Sequence, residues 1–183
     1  MFAPYTVTEA FTPEECARII ALAQDAPMSD AGLVRNETDH KVRRSELAWL
    51  DEREGAGWVM DRILSLVARV NREVFDFALT EFAESPQVAR YGADRQGHFG
   101  WHSDIGAGAV ASRRKLTMVV QLSDPSDYQG GVLELMHDAN IRTAEPARGA
   151  ATFFPSFVLH RVTPVTAGER WSLTIWAHGP AFR

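Results

Sequence analysis

The sequence predicts a mainly β domain with flanking helices, of the sandwich, jelly-roll or barrel kind. Two observations point there. From Gln87 onward the chain breaks into short β candidates punctuated by Gly, Pro, Asp and Ser: QVARY, GHFGWHSD, KLTMVVQLS, GGVLELM, ANIRTAE, GAATFFP, FVLHRV and RWSLTIWA. Short strands at such close spacing build stacked or closed antiparallel sheets. Before Gln87, two stretches show a helical period instead, each apolar on one face, as helices that cover a sheet are.

The first helix is announced by TPEECARIIALAQ. Thr12 stands at the N-cap, Pro13 at the first helical position, and Glu15 three residues after Thr12 closes a capping box. Cys16, Ile19, Ile20 and Ala23 follow at helical spacing. A second helix is expected from Gly57 to Leu79, where Ile63, Val67, Val70, Val74 and Phe77 step by four and three. Residues 25–50 are polar, with little periodicity before Leu47–Leu50, and read as a loop or lid. Gly130-Gly131 reads as a turn or bulge before a strand.

At 183 residues with 45% apolar content, the chain is long enough for one domain with a full core, expected to span residues 1–183. Helical support and lid would occupy 1–85 and the β core 86–183. A formal charge of −5 and no basic run longer than Arg43-Arg44 or Arg113-Arg114 argue against nucleic acid and membrane surfaces as partners. No apolar run is long enough to span a bilayer, and MFAPYTVTEAF lacks a secretory signal, so the expected location is cytoplasmic. Cys16, the only cysteine, reads as a small buried apolar residue.

The chemistry concentrates in GHFGWHSD. Alternation in a strand would put His98, Gly100, His102 and Asp104 on one face and Phe99, Trp101 and Ser103 on the other. His102 and Asp104 are then placed to share a cation, with Gly100 leaving the approach clear. His-x-Asp alone is a weak signal and needs a third ligand. His160, in FPSFVLHRVTPV, reads either as that ligand or as a core histidine bonded to backbone. Arg170 in GERWSLTIW tips the balance, because its strand would turn Arg170, Ser172, Thr174 and Trp176 to one side. A guanidinium pointing into a sheet interior must find an anion, and its fork suits a carboxylate; at a strand start it would instead pair with a surface acid. Two His and one carboxylate on strands match the facial triad of non-haem Fe(II).

His102-x-Asp104, a distal His160 and Arg170 ten residues later resemble the Fe(II)- and 2-oxoglutarate-dependent dioxygenases, more narrowly their prolyl 4-hydroxylase-like branch. LSDPSDYQGGVLEL and FPSFVLHRVTPVTAGER resemble the PKHD-type hydroxylases. The resemblance implies a double-stranded β-helix, or jelly roll, with the N-terminal helices packed on its outer sheet. It implies Fe(II) on His102, Asp104 and His160, and the distal carboxylate of 2-oxoglutarate on Arg170. Tyr91 falls where a co-substrate tyrosine precedes the His-x-Asp strand. Gln121 falls where the prolyl hydroxylases carry a tyrosine to the same carboxylate, a departure from the pattern. The implied reaction is hydroxylation of a C–H bond with O2, yielding succinate and CO2, with ascorbate as an accessory reductant. Related halogenases replace the triad carboxylate, so Asp104 argues for hydroxylation.

The implied substrate is a prolyl or other peptidyl side chain; a free amino acid or small metabolite is the alternative, because the loops at Asp25–Leu50 and Gly106–Arg114 hold no readable code. A non-catalytic jelly-roll module would close the metal site with a fourth ligand such as His98, and a cupin-like enzyme that ignores 2-oxoglutarate would pair Arg170 with a protein carboxylate. His98 otherwise reads as solvent-facing. His40, His137 and His178 read as surface residues. Arg43 and Arg44 read either as reaching over the site from the lid or as a solvated turn.

Overall fold

The computed structural model describes residues 3–31, 42–50 and 55–182. Its strands run, in chain order, β1 (Tyr5–Val7), β2 (Ser29–Asp30), β3 (Arg43–Arg44), β4 (Glu46–Trp49), β5 (Gln87–Gly92), β6 (His98–His102), β7 (Arg114–Gln121), β8 (Tyr128–Gly130), β9 (Leu133–His137), β10 (Asn140–Thr143), β11 (Ala151–Pro155), β12 (His160–Val162) and β13 (Val165–His178). They form two antiparallel sheets. The larger has the order β1-β11-β7-β13-β5-β4-β2, with β8 beside β13, and the smaller the order β10-β9-β12-β6-β3. Each of the β candidates read from sequence holds a strand.

Alternation along β7 and β13 decides what each face of the larger sheet meets. Leu116, Met118, Val120, Leu173 and Ile175 are buried in one cluster with Ile19 of helix α1 (Pro13–Asp25) and Ile63 and Val67 of helix α2 (Gly57–Val70). At about 1.5–3 kcal/mol per fully buried aliphatic side chain, this layer holds the helices to the sheet. The opposite residues, Val119 with Tyr91, Leu133, Leu135, Phe154 and Val162, form a second cluster between the sheets. The site lies in that inter-sheet space.

The capping box of α1 is formed: Thr12 Oγ1 accepts from the Glu15 N–H at 3.2 Å and Glu15 Oε2 from the Thr12 N–H at 2.9 Å. Cys16 is fully buried, and burial pushes its thiol pKa up to about 11, which leaves it an inert core residue. The second helix stops short of Leu79. It passes into a π turn at Asn71–Phe75, and Asp76, at φ 50°, donates its N–H to Asn71 O and ends it. Val74 is exposed as a result. The 25–50 stretch is only partly irregular. In its described residues β4 pairs with β5 and β2 with β4, while Leu47, Ala48 and Leu50 are buried. Residues 32–41, His40 among them, lie outside the described residues.

Gly130 and Gly131 take φ 74° and 60°, conformations that L side chains avoid. A Cβ on Gly130 would stand 2.1 Å from Pro164 O, and one on Gly131 3.0 Å from Arg170 Cδ. The expected turn therefore also makes room for a site residue. No helix among the described residues is long and apolar enough to cross a membrane.

Candidate metal centre

Strands β6 and β12 pair so that His160 lies opposite His102, and Asp104 follows two residues after β6. The ligand atoms of His102, Asp104 and His160 all lie within 4.8 Å of one another. His102 Nε2 is 3.8 Å from Asp104 Oδ1, and His160 Nε2 is 3.6 Å from Asp104 Oδ2. Those gaps are too long for hydrogen bonds. They are also shorter than the about 4.2 Å between two donors on opposite sides of one ion, each about 2.1 Å from it.

Backbone carbonyls aim both rings. His102 Nδ1 stands 2.7 Å from Gly100 O and His160 Nδ1 3.0 Å from Val158 O. A carbonyl only accepts, so each Nδ1 carries the proton and each Nε2 presents its lone pair to the centre. Burial and the neighbouring His160 push the His102 pKa down to about 3, so the ring is neutral and able to ligate at neutral pH. Burial of Asp104 acts to raise its pKa, but the two imidazoles and a hydrogen bond from Thr117 outweigh it and hold the carboxyl below the usual range. Thr117 Oγ1 donates to Asp104 Oδ2 at 2.7 Å and lies 3.0 Å from Ser156 Oγ. The Asp104 backbone is tied too, its N–H to Ser156 O at 2.9 Å and its carbonyl to Arg114 Nη1 at 3.1 Å.

The three donors open on a cavity of about 560 Å³ that is also lined by Tyr91, Arg170, Ser172, Arg43, Trp49 and Trp176. Arg170 is fully buried on β13. Its Nη2 donates to Gln121 Oε1 and its Nη1 to Ser172 Oγ at 3.4 Å, while Nε has no partner. The ring of Tyr91 lies 5.5 Å from the guanidinium carbon. No carboxylate among the described residues pairs with Arg170, and burial lowers its pKa. A buried cation that lines a cavity and keeps an unused N–H suits an incoming carboxylate. Gln121 does not line the cavity. Its amide oxygen backs the guanidinium from behind.

Several expectations need correction. The register between β6 and β12 shifts at a bulge, pairing His160 with His102 but Val162 with Phe99. The bulge reverses the alternation, so Phe99, not His98, shares a face with His102, and the two rings stack. His98, half-buried, lies outside the cluster with Nδ1 2.8 Å from Gln96 O, so it supplies no fourth ligand. Gly100 does not clear the metal side either: its Cβ would face Val42, 3.4 Å from the carbonyl oxygen. Its contribution is the carbonyl that holds His102.

His137 and His178, expected at the surface, are both buried. His137 Nδ1 is 3.0 Å from Asp138 Oδ2. His178 Nδ1 accepts from the Ala83 N–H at 3.3 Å, and its Nε2 lies 3.1 Å from Glu84 Oε2. Glu84 also pairs with Arg114, which lies over the Trp176 ring at 3.8 Å. Arg43 is buried against the cavity and is not a solvated turn; Arg44 donates to Arg95 O at 3.4 Å. Sequence reading missed Phe99, Thr117, Glu84 and Trp49. Thr117 carried no signal of its role, because it shares its face of β7 with Lys115, Val119 and Gln121 while the apolar Leu116, Met118 and Val120 face the helices.

Residues 86–178 match the family described as the 2OG-Fe(II) oxygenase superfamily. A PKHD-type hydroxylase of Paracoccus denitrificans is 30% identical over 178 residues, covering 94% of this chain and 76% of that protein. The chain belongs to the 2OG-Fe(II) oxygenase superfamily. The oxygenase is accordingly an enzyme of the Fe(II)- and 2-oxoglutarate-dependent kind, and the His-x-Asp and distal His of that family are the cluster described above. Its fold agrees with solved double-stranded β-helices. A Trichoplax adhaerens prolyl hydroxylase, solved with a hypoxia inducible factor peptide fragment, superposes with a TM-score of 0.80 at 19% identity, over 96% of this chain and 83% of that one. A Pseudomonas putida prolyl-4-hydroxylase superposes with 0.74 at 23% identity, over 98% and 94%.

Proposed function

We propose that this oxygenase hydroxylates a C–H bond of a prolyl or other peptidyl side chain. His102, Asp104 and His160 hold Fe(II), and Arg170 holds the distal carboxylate of 2-oxoglutarate, flanked by Tyr91 and steadied by Gln121. The observation that carries this reading is the meeting of three convergent donors and a buried, carboxylate-free arginine in one cavity. The donor set suits Fe(II), because two neutral imidazoles and one carboxylate leave coordination positions for co-substrate and oxygen.

With metal and co-substrate bound, oxidative decarboxylation of 2-oxoglutarate by O2 supplies the oxidant for inserting one oxygen atom into the substrate. The protein supplies geometry and shielding. The Gly100 and Val158 carbonyls fix the imidazole tautomers and Thr117 fixes the carboxylate, so no ligand must reorient on binding. Arg170, sealed from solvent, orients the co-substrate by its far end. Trp49 and Trp176, with ring centroids 6.4 Å apart, give the cavity an aromatic wall suited to an apolar ring such as proline's. The prolyl hydroxylase neighbours support the same substrate class, and the carboxylate of Asp104 supports hydroxylation.

The test is oxygen-dependent conversion of 2-oxoglutarate to succinate with a panel of proline-containing peptides, followed by mass spectrometry for one added oxygen atom. Wild type should turn over and Asp104→Ala and Arg170→Ala should not. An Fe(II)-loaded wild type that oxidises no peptide but does oxidise a free amino acid or metabolite would replace the peptidyl reading with the small-molecule one.

A further inference from the structure

Arg43 has no role in the scheme above, yet it is built into the same cavity. Its side chain is 8% exposed. Nε donates to Ser45 Oγ at 2.8 Å and Nη2 to Gln87 Oε1 at 3.2 Å, and the guanidinium carbon lies 4.4 Å from the Phe99 ring centre. Phe99 thus lies between Arg43 and His102, whose ring occupies its other face at 3.5 Å. All these partners are neutral. No carboxylate among the described residues forms an ion pair with Arg43, whereas the third arginine that lines the cavity, Arg114, is matched by Glu84, and Asp30 is matched by Arg95 at 2.6 Å.

Among the described residues that line the cavity, the charges that remain are Asp104, negative, and Arg170 and Arg43, positive. Fe(II) and the doubly charged 2-oxoglutarate cancel each other, so among these residues one positive charge, at Arg43, has no paired carboxylate. Holding a desolvated guanidinium without a counter-charge is costly unless something anionic arrives. Aromatic stacking and two neutral acceptors fix its orientation without consuming its charge.

We propose that Arg43 is a specificity-determining residue that binds a carboxylate of the substrate, so that this oxygenase selects substrates with an acidic group near the carbon to be hydroxylated. This rests on the functional reading above for the location of the substrate, but not on the target being proline. A carboxylate of this kind has two sources: the α-carboxylate of a free or C-terminal amino acid, or an acidic side chain beside the target residue.

The experiment measures binding by calorimetry to protein loaded with Mn(II), a redox-silent stand-in, and saturating 2-oxoglutarate. One arm compares N-acetylproline with its carboxamide; the other compares end-blocked Gly-Pro-Asp with Gly-Pro-Asn. Both arms are repeated with alanine and with leucine in place of proline. In at least one arm the acid should bind about tenfold tighter than its neutral twin, the worth of a charge-assisted over a neutral hydrogen bond. In Arg43→Gln that advantage should fall below about threefold, with an unchanged circular dichroism spectrum as the check on folding. The wild-type comparison stands even if the variant fails to fold. Equal affinity of acid and neutral twin in both arms, absence of binding by every acid, or an advantage that survives in Arg43→Gln overturns the proposal. A preference for alanine or leucine over proline overturns the prolyl reading alone.

Discussion

Phe99 and His102 stack with ring centroids 3.5 Å apart and planes 15° from parallel, although in an unbroken strand residues three apart would face opposite ways. The bulge opposite β12 brings them together, and the stack holds the imidazole plane that Gly100 O aims. Phe99→Ala should therefore lower Fe(II) affinity about tenfold, the usual scale for groups that orient a metal ligand, while Phe99→Leu should lose less. Metal titration of both variants checks this; an unchanged affinity in the alanine variant would mean that backbone alone orients His102.

Thr117 makes a parallel case for the carboxylate. Thr117→Val keeps the shape but removes the donor to Asp104 Oδ2, leaving Asp104 free to turn and without its strongest neutral partner. About a tenfold loss of Fe(II) affinity is expected, with a lower melting temperature in the metal-free protein, because Asp104 and the buried Ser156 hydroxyl both lose a hydrogen-bond partner. Retention of full affinity would assign Thr117 to packing only.

The co-substrate end is tested by Arg170 and Gln121. Arg170→Ala should raise the 2-oxoglutarate Kd about a hundredfold, on the order of 3 kcal/mol for a bidentate charged contact, while Fe(II) affinity stays the same. Gln121→Leu should raise it by only about threefold, because the amide steadies the guanidinium from behind and does not reach the cavity. Equal effects of the two substitutions would show that Gln121 itself touches the co-substrate. Anaerobic titration of Fe(II) protein with 2-oxoglutarate, followed by its visible absorption, reads both.

Acid should destabilise the metal-free protein through this centre. The folded His102 pKa is down at about 3 from an ordinary 6.5, so between those values the unfolded chain holds a proton that the folded one does not. Its contribution to stability is complete above pH 6.5 and is lost progressively as the pH falls toward 3. Asp104, also lowered, acts in the same direction: its contribution is present above its ordinary 3.8 and lost as the pH falls through its folded value. Scanning calorimetry should show a melting temperature that declines with acidification from about pH 6.5, and a shallower decline in His102→Gln. Parallel profiles for the two proteins would contradict the assignment.

Much of the architecture was legible because its causes are local. The capping box needs only Thr12, Pro13 and Glu15, and the strand runs are set by alternation and by Gly and Pro punctuation. His102, Asp104, His160 and Arg170 could be chosen because polar residues on inward-facing strand positions demand partners, and few partners exist. The end of α2 was less legible: apolar residues continue at helical spacing through Phe77, but the left-handed conformation at Asp76 that stops the helix has no mark in that pattern. His137 and His178 looked exposed because burial of a lone polar residue depends on what packs over it.

The sequence by itself determined the class of fold, the donor types and their spacing along the chain, since these follow from periodicity and from the chemistry of each side chain. Tertiary structure alone decided which side of β6 faces the metal, because a one-residue bulge set by pairing with β12 exchanges the faces and puts Phe99, not His98, beside His102. It also decided that Arg43 is buried at the cavity and that Gln121 stands behind Arg170. Those are matters of contact between strands distant in sequence, and no residue carries such a contact in its own identity.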